Sequence, residues 1–209
     1  MELDPPNNPK DDKSQQVKTM LRAQIRAGLK NMSPAERAAA SVQACARLTE
    51  QAVWQKAESV LFYAPLAEEL DVWPLLLNAL AAGKTVSLPR FDAEQKGYVA
   101  CHIRDAAGDL GEGQFGIREP GESCERISLN RLDLILVPGI AFDLNGYRLG
   151  RGKGYYDRLL AEAGGPTCGV AFDEQIVSQI PTEPHDVRLN CILTPTRWQC
   201  AAGPRAVLK

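Results

Sequence analysis

The chain has 209 residues, 44% of them apolar and 24% charged, with a formal net charge of −2. A chain of this length buries about 70% of its unfolded surface in one large domain, and its near-neutral balance excludes a protein built to coat nucleic acid, which carries a clustered basic excess. No apolar run approaches the roughly 18 residues of a membrane helix, and the polar, acidic start MELDPPNNPKDDKSQQ is the opposite of a signal peptide, so a cytoplasmic protein is expected, with neither membrane nor nucleic acid as partner.

Residues 1–13 hold Pro, Asn and Asp with almost nothing apolar and predict a disordered leader. From Ser14 the apolar positions Val17, Met20, Leu21, Ile25 and Leu29 fall at helical spacing. Beside them Lys18, Arg22, Arg26 and Lys30 recur every fourth residue. Such a stripe either faces solvent or, where the helix crosses a site, reaches an anion. Ser33-Pro34-Ala35-Glu36 supplies an N-cap, a proline at the first helical position and the glutamate of a capping box, predicting a second helix from there to about Lys56.

Ser59–Ala64 (SVLFYA) reads as a buried strand, Asp71–Ala82 as a helix closed by Gly83, and Thr85–Pro89 as the next strand. Together they form a β-α-β unit with a parallel pair. Tyr98–Ile103 alternates in the manner of an antiparallel or edge strand. Residues 106–130 contain five glycines and little periodicity, which predicts a long functional or mobile loop. Then come a strand at Leu132–Val137, a helix at Gly154–Ala163, a strand at Cys168–Phe172, a short helix near Glu174–Gln179 and a strand at Cys191–Leu193. Residues 14–196 are therefore expected to form a single α/β domain, a three-layer αβα sandwich with helices on both faces of a mostly parallel central sheet. Residues 197–209 are left as a C-terminal tail. Cys45, Cys101, Cys124, Cys168, Cys191 and Cys200 show neither CxxC pairing nor ligand-like spacing, predicting free thiols in a reducing compartment.

Chemistry concentrates in DLNGYRLGRGKGYYDRLL, residues 143–160. This stretch leaves the carboxyl end of a strand and feeds a helix, the place where open α/β sheets bind ligands. Unpaired N–H groups at a helix start favour an anion. Gly150, Gly152 and Gly154 admit a bulky oxyanion, and Arg148, Arg151 and Lys153 add charge. The reading is a phosphate-binding loop, though neither Walker A, which places a glycine where Tyr147 stands, nor GxGxxG. Asp157 either complements the helix dipole or, beside phosphate, is a hard ligand for Mg²⁺. Asp186, in Pro184-His185-Asp186, is a second acidic candidate. His102 lies in a strand and reads as structural.

DLILVPGIAFDLNGYRLGRGKGYYDRLL followed by GVAFDEQIVSQIPTEPHD resembles the 5-formyltetrahydrofolate cyclo-ligase family. So do Lys18 to Arg22, the EELD after the first strand, LPR at 88–90 and GQFGIREP at 113–120. The resemblance implies a three-layer α/β fold and conversion of 5-formyltetrahydrofolate to 5,10-methenyltetrahydrofolate, with Mg²⁺ as cofactor and ATP as co-substrate, releasing ADP and phosphate. By position it implies that Lys18, Thr19, Met20, Leu21 and Arg22 bind ATP together with Arg148, Leu149, Gly150, Arg151, Gly152, Lys153, Gly154, Tyr155 and Tyr156. It implies that Arg22, Ala64, Glu69, Phe115, Arg151, Gly152, Lys153, Gly154 and Tyr155 face the folate, and that Asp157 and Asp186 hold magnesium. Arg118 departs from it, a bulky charge where the family often has a smaller residue. Catalysis is expected to be positioning and charge stabilisation by Lys153, Arg148 and Arg151, with no protein nucleophile. Two alternatives stay open: a non-catalytic folate- or nucleotide-binding paralogue, and a sugar-phosphate isomerase or acyl-CoA transferase on a similar scaffold. The partners expected are small-molecule substrates, acting on a monomer.

Overall fold

The computed structural model describes residues 9–113, 116–184 and 186–201. Its helices are α1 (Pro9–Lys30), α2 (Pro34–Thr49), α3 (Ala52–Lys56), α4 (Trp73–Ala81) and α5 (Tyr155–Ala161). Its strands are β1 (Ser59–Leu61), β2 (Thr85–Asp92), β3 (Gly97–Ile103), β4 (Leu110–Glu112), β5 (Arg118–Pro120), β6 (Arg126–Ile127), β7 (Leu134–Val137), β8 (Ala141–Asp143), β9 (Arg148–Leu149), β10 (Thr167–Val170), β11 (Ile176–Val177), β12 (Cys191–Leu193) and β13 (Trp198–Cys200).

Eight strands form the main sheet in the order β13-β12-β10-β7-β1-β2-β3-β6. The run from β12 to β2 is parallel, while β13, β3 and β6 join antiparallel. Side chains of the central strands alternate between two buried clusters. Val60, Leu134 and Leu136 join the cluster that contains Ile25, Leu29, Ala44, Leu48 and Leu76 from α1, α2 and α4. Leu61, Ile135 and Val137 join the one that contains Leu159 and Leu160 from α5. A strand whose two faces are both covered has no polar side to show, which is why LILV is a continuous apolar run. The sandwich is lopsided, with four helices on one face and the short α5 on the other.

The local signals around α2 and α4 act as the sequence suggests. The Glu36 N–H donates to Ser33 Oγ at 3.2 Å while the Ser33 N–H donates to Glu36 Oε2 at 2.7 Å, closing the capping box. Gly83, at φ 78°, ends α4: its N–H donates to Leu80 O at 3.0 Å and the Lys84 N–H to Ala79 O at 3.0 Å.

Elsewhere the bounds move. α1 takes in residues 9–13, assigned above to the leader; Pro9 suits a first helical position, and a packed helix extends itself cheaply beyond its apolar stretch. The second helix is two, because Gln51 is extended (φ −82°, ψ 138°) and turns the chain so that Trp54 packs edge-on against Phe62, ring centroids 6.1 Å apart. The long loop 106–130 holds the β4–β5 hairpin and β6. The short helix expected near Glu174–Gln179 is a 3₁₀ turn, Asp173–Gln175, followed by β11. The tail contributes β13, which pairs with β12, so the sheet does not stop at residue 196. All six cysteines are free thiols.

A second, three-stranded sheet, β11-β8-β9, carries the glycine-rich loop. Asp143, fully buried, ties it down. Its Oδ1 accepts from the N–H groups of Asn145 at 3.0 Å and Tyr147 at 3.1 Å, and its Oδ2 from Ile180 at 3.0 Å. Asp143→Ala would strand three backbone donors at about 1–3 kcal/mol each where water cannot reach them. A net loss of about 3 kcal/mol lowers Tm by roughly 6–12 °C in a domain of this size. Asp143→Asn, which keeps one acceptor oxygen, should lose less. Thermal unfolding followed by circular dichroism checks both, and an unchanged Tm in the alanine variant would contradict the assignment.

Candidate active site

The connections leave the sheet in opposite directions from β1 and β7: β1 leads through α4 to β2 on one side, and β7 through α5 to β10 on the other. Between two such strands the loops part and leave a crevice at their carboxyl ends. A cleft of about 490 Å³ opens there, with Ala64 beyond β1 and Pro138 and Gly139 beyond β7 in its wall. Lys18 and Arg22 from α1, Glu119 from β5, the stretch Arg148–Asp157, and Glu183 with Asp186 complete the lining.

The cationic side is built on β9, where Arg148 and Leu149 are both buried. After it the chain makes a turn that a side chain would strain, with Gly152 at φ 96° and Gly154 at φ 64°. Arg22 reaches over from α1 and donates from Nε to Gly150 O at 3.0 Å. Arg158, on the first turns of α5, donates to Lys96 O at 2.9 Å and anchors the loop to the β2–β3 turn. Lys153 Nζ stands 5.8 Å from the centre of the Tyr155 ring. One part of the sequence reading changes: α5 has seven residues and Gly154 caps it with no side-chain hydrogen bond. So few aligned peptides make a weak dipole, and the anion-attracting field comes from side chains.

Helical periodicity also sorts residues 18–22. Lys18 and Arg22, one turn apart, line the cleft. Thr19 and Met20 do not; Met20 is 71% exposed, and the Thr19 hydroxyl donates to Gln15 O. Leu21 packs against the core instead. Of the five first-helix residues to which the resemblance assigns ATP, the cleft therefore takes Lys18 and Arg22, while the side chains of Thr19, Met20 and Leu21 point elsewhere. Phe115 lies outside the described residues. Arg118 lines the cleft, but its guanidinium stacks 5.1 Å over the Trp73 ring and donates to Ala106 O.

The carboxylates are tied to these cations. Arg148, with its side chain 3% exposed, donates to Asp157 Oδ1 at 2.7 Å and lies 5.7 Å from the Tyr156 ring centre. Arg151 Nη2 is 3.1 Å from Glu69 Oε1, while Glu69 Oε2 accepts from the Leu66 N–H at 3.0 Å. Lys18 Nζ is 2.8 Å from Glu183 Oε1 and 3.4 Å from Asp186 Oδ2, and Asp186 also accepts from the Glu183 N–H at 2.8 Å. Among the described residues no group of three His, Cys, Asp or Glu could cage a metal ion. Two separate carboxylates on one cleft suit Mg²⁺ held mostly by a phosphate ligand and water, the usual arrangement for that ion, and do not suit a resident structural metal.

Gln15, Tyr63, Tyr98, Glu119 and Glu183 also line the cleft and were not singled out in the sequence. Glu183 was readable, three residues before Asp186 in the same loop. Tyr98 and Glu119 were not, because only folding brings the β3 strand and the β4–β5 hairpin to the site. Phe91, Tyr98 and Tyr155 form an aromatic group with ring centroids 5.4–6.0 Å apart, all three contacts edge-to-face. His102 lies in β3, away from the cleft.

The sequence pattern of the 5-formyltetrahydrofolate cyclo-ligase family matches residues 14–195. The chain is 30% identical over 188 residues to the 5-formyltetrahydrofolate cyclo-ligase of Mus musculus, covering 85% of this chain and 93% of that one. It is 30% identical over 180 residues to the Escherichia coli protein of the same name, covering 84% and 99%. The solution structure of 5,10-methenyltetrahydrofolate synthetase from Aquifex aeolicus superposes with a TM-score of 0.81 at 33% identity, over 92% of this chain and 97% of that one.

Three phenols in and beneath the cleft are held in their neutral form. Burial raises Tyr63 and Tyr156 well above the ordinary 10.0, with Glu69 adding to both, and burial with Glu119 pushes Tyr98 up to about 12. The unfolded chain gives up these protons at lower pH than the folded one. Their contribution to stability is thus complete below about pH 10 and is lost as pH rises towards 12. Tyrosinate absorbance and circular dichroism, followed together in an alkaline titration, should show these three ionising only as the fold is lost. Ionisation of all five tyrosines near pH 10 with folded dichroism retained is the contrary result.

Proposed function

The chain belongs to the 5-formyltetrahydrofolate cyclo-ligase family, and on that premise we propose that its cleft converts 5-formyltetrahydrofolate to 5,10-methenyltetrahydrofolate using Mg–ATP. The observation that carries this reading is the division of one cleft into two chemistries. Gly150 to Gly154 with Arg22, Arg148, Arg151 and Lys153 make a cationic, glycine-flanked wall for phosphates. Tyr98 and Tyr155, packed edge-to-face on each other and on Phe91, add aromatic rings to the lining of the same cleft for a flat heterocycle. A site that joins two substrates needs both within reach of one another.

A formamide oxygen leaves poorly, so it is first phosphorylated. The formyl oxygen attacks the γ-phosphorus, the new O–P bond forms as the bond to ADP breaks, and the charge between them spreads over the equatorial oxygens. The N10 lone pair then attacks the activated formyl carbon, N10 gives up its proton, and phosphate departs with the C–O electron pair. Lys153, a long side chain between Gly152 and Gly154, follows the charge as it moves. Arg148, fixed between Asp157 and Tyr156, is a rigid donor, and Arg151, paired with Glu69, links the phosphate wall to the folate side. Asp157 and Asp186 would hold Mg²⁺, which when bound neutralises phosphate charge. The reaction runs on positioning and electrostatics and needs no protein nucleophile.

Methenyl absorbance with 5-formyltetrahydrofolate, measured with and without Mg–ATP, tests the reading. Product should appear only when both ATP and Mg²⁺ are present, and its absence under those conditions would sink the assignment. Lys153→Met should lower kcat by on the order of 10²-fold or more, with a smaller change in ATP affinity because Arg22, Arg148 and Arg151 remain. Normal turnover at saturating ATP would make Lys153 a ground-state anchor only.

A further inference from the structure

Five carboxylates line the cleft, and four are engaged as described: Glu69 by Arg151 and a backbone N–H, Asp157 by Arg148, Glu183 and Asp186 by Lys18. Glu119 differs. It is 8% exposed, forms no ion pair among the described residues, and its Oε1 has no hydrogen-bond partner there. Its Oε2 accepts from the Phe91 N–H at 3.1 Å, which fixes the carboxylate at the edge of the aromatic group. A buried carboxylate oxygen without a donor carries an uncompensated desolvation cost, and it marks a place that a ligand or a water can complete. The surroundings hold it in place. A Cβ at Gly113 would overlap the Glu119 carboxyl group, so the hairpin can close over this side chain only because that position is glycine.

We infer that Glu119 is the residue that recognises the 2-amino-4-oxopyrimidine edge of the folate's pterin, its carboxylate accepting from the ring N3–H and the exocyclic amino group. This rests on the folate-converting reading of the cleft. The pterin offers two neighbouring N–H donors on one edge of a flat ring. Glu119 offers an open acceptor beside Phe91 and Tyr98, whose rings meet at 6.0 Å. Glu69, the acid that family position assigns to substrate, already accepts from Arg151 on one oxygen and from the Leu66 N–H on the other, and through the first it holds Arg151 in place. Recognition of the ring and alignment of the phosphate wall are thereby divided between two carboxylates.

The test uses the full-length protein and two ligands, 5-formyltetrahydrofolate and its 2-desamino analogue, with binding and Tm measured in wild type and in Glu119→Gln. Wild type is assayed for methenyl formation first; if it makes none, the reading of the cleft fails and not this residue assignment alone. With turnover established, Glu119→Gln should weaken 5-formyltetrahydrofolate binding roughly ten- to a hundredfold, the effect of losing a charged hydrogen-bond acceptor. ATP binding should be unchanged. The 2-desamino analogue should separate wild type from variant by a smaller factor, because one of the two donors that Glu119 reads is gone and only the N3–H remains. Without ligand, the variant should melt at or above the wild-type temperature, since an unsatisfied buried charge has been removed. Equal affinity of wild type and variant for 5-formyltetrahydrofolate would overturn the inference. So would a loss of the same size for both ligands, or a fall in unliganded Tm that accounts for the weaker binding.

Discussion

A buried carboxylate that touches no ligand holds this site together. Asp143 sits below the cleft and gathers backbone N–H groups from the β8–β9 turn and from Ile180. The first connection sets the hairpin that presents Arg148 and, after it, the glycine-rich loop. The second sets the chain just before Glu183 and Asp186. Walls that come from segments more than thirty residues apart are therefore referred to one side chain. Charge makes the arrangement stiff, because hydrogen bonds to an ionised oxygen are shorter and stronger than neutral ones.

Above that anchor the cleft is electrostatically self-contained. Six cations and five carboxylates line it, and three of the cations are already bound to acids across the walls. Packing cations together with no counter-charge would oppose folding, and pairing offsets the cost of removing both partners from water. On the function proposed above, a phosphate entering such a site would exchange one set of oxygens for another on arginines already oriented. It does not have to strip water from bare charges, and the arginines do not have to search for it.

What could be read from the chain follows the length scale of each feature. Long amphipathic or capped segments were legible: α1 from its apolar spacing, the start of α2 from Ser33 and Glu36, the end of α4 from Gly83, and β12 to the residue. Strands of two or three residues carry too few side chains to show a period, so β4, β5, β8, β9 and β13 were hidden inside supposed loops or the tail. The cationic loop was legible because its glycines and basic residues are contiguous. Which of residues 18–22 face the cleft depends on the rotation of α1 about its axis, and that is set by the core contacts of Ile25 and Leu29. Glu119 stands inside GQFGIREP, one of the stretches that carry the family resemblance, yet no role for it could be read there. An acid among glycines looks like any solvated turn residue until the hairpin folds over it.

The pairing of Lys18 with Asp186 spans 168 positions of the chain. A ribosome adding roughly 5–20 residues each second needs on the order of ten to thirty seconds to travel that distance. During that interval α1 carries a lysine whose partners Glu183 and Asp186 have not yet been made. The cleft cannot close on this side until the loop before β12 clears the exit tunnel and meets α1. A nascent chain interrupted before that point can have most of its sheet and none of its finished pocket.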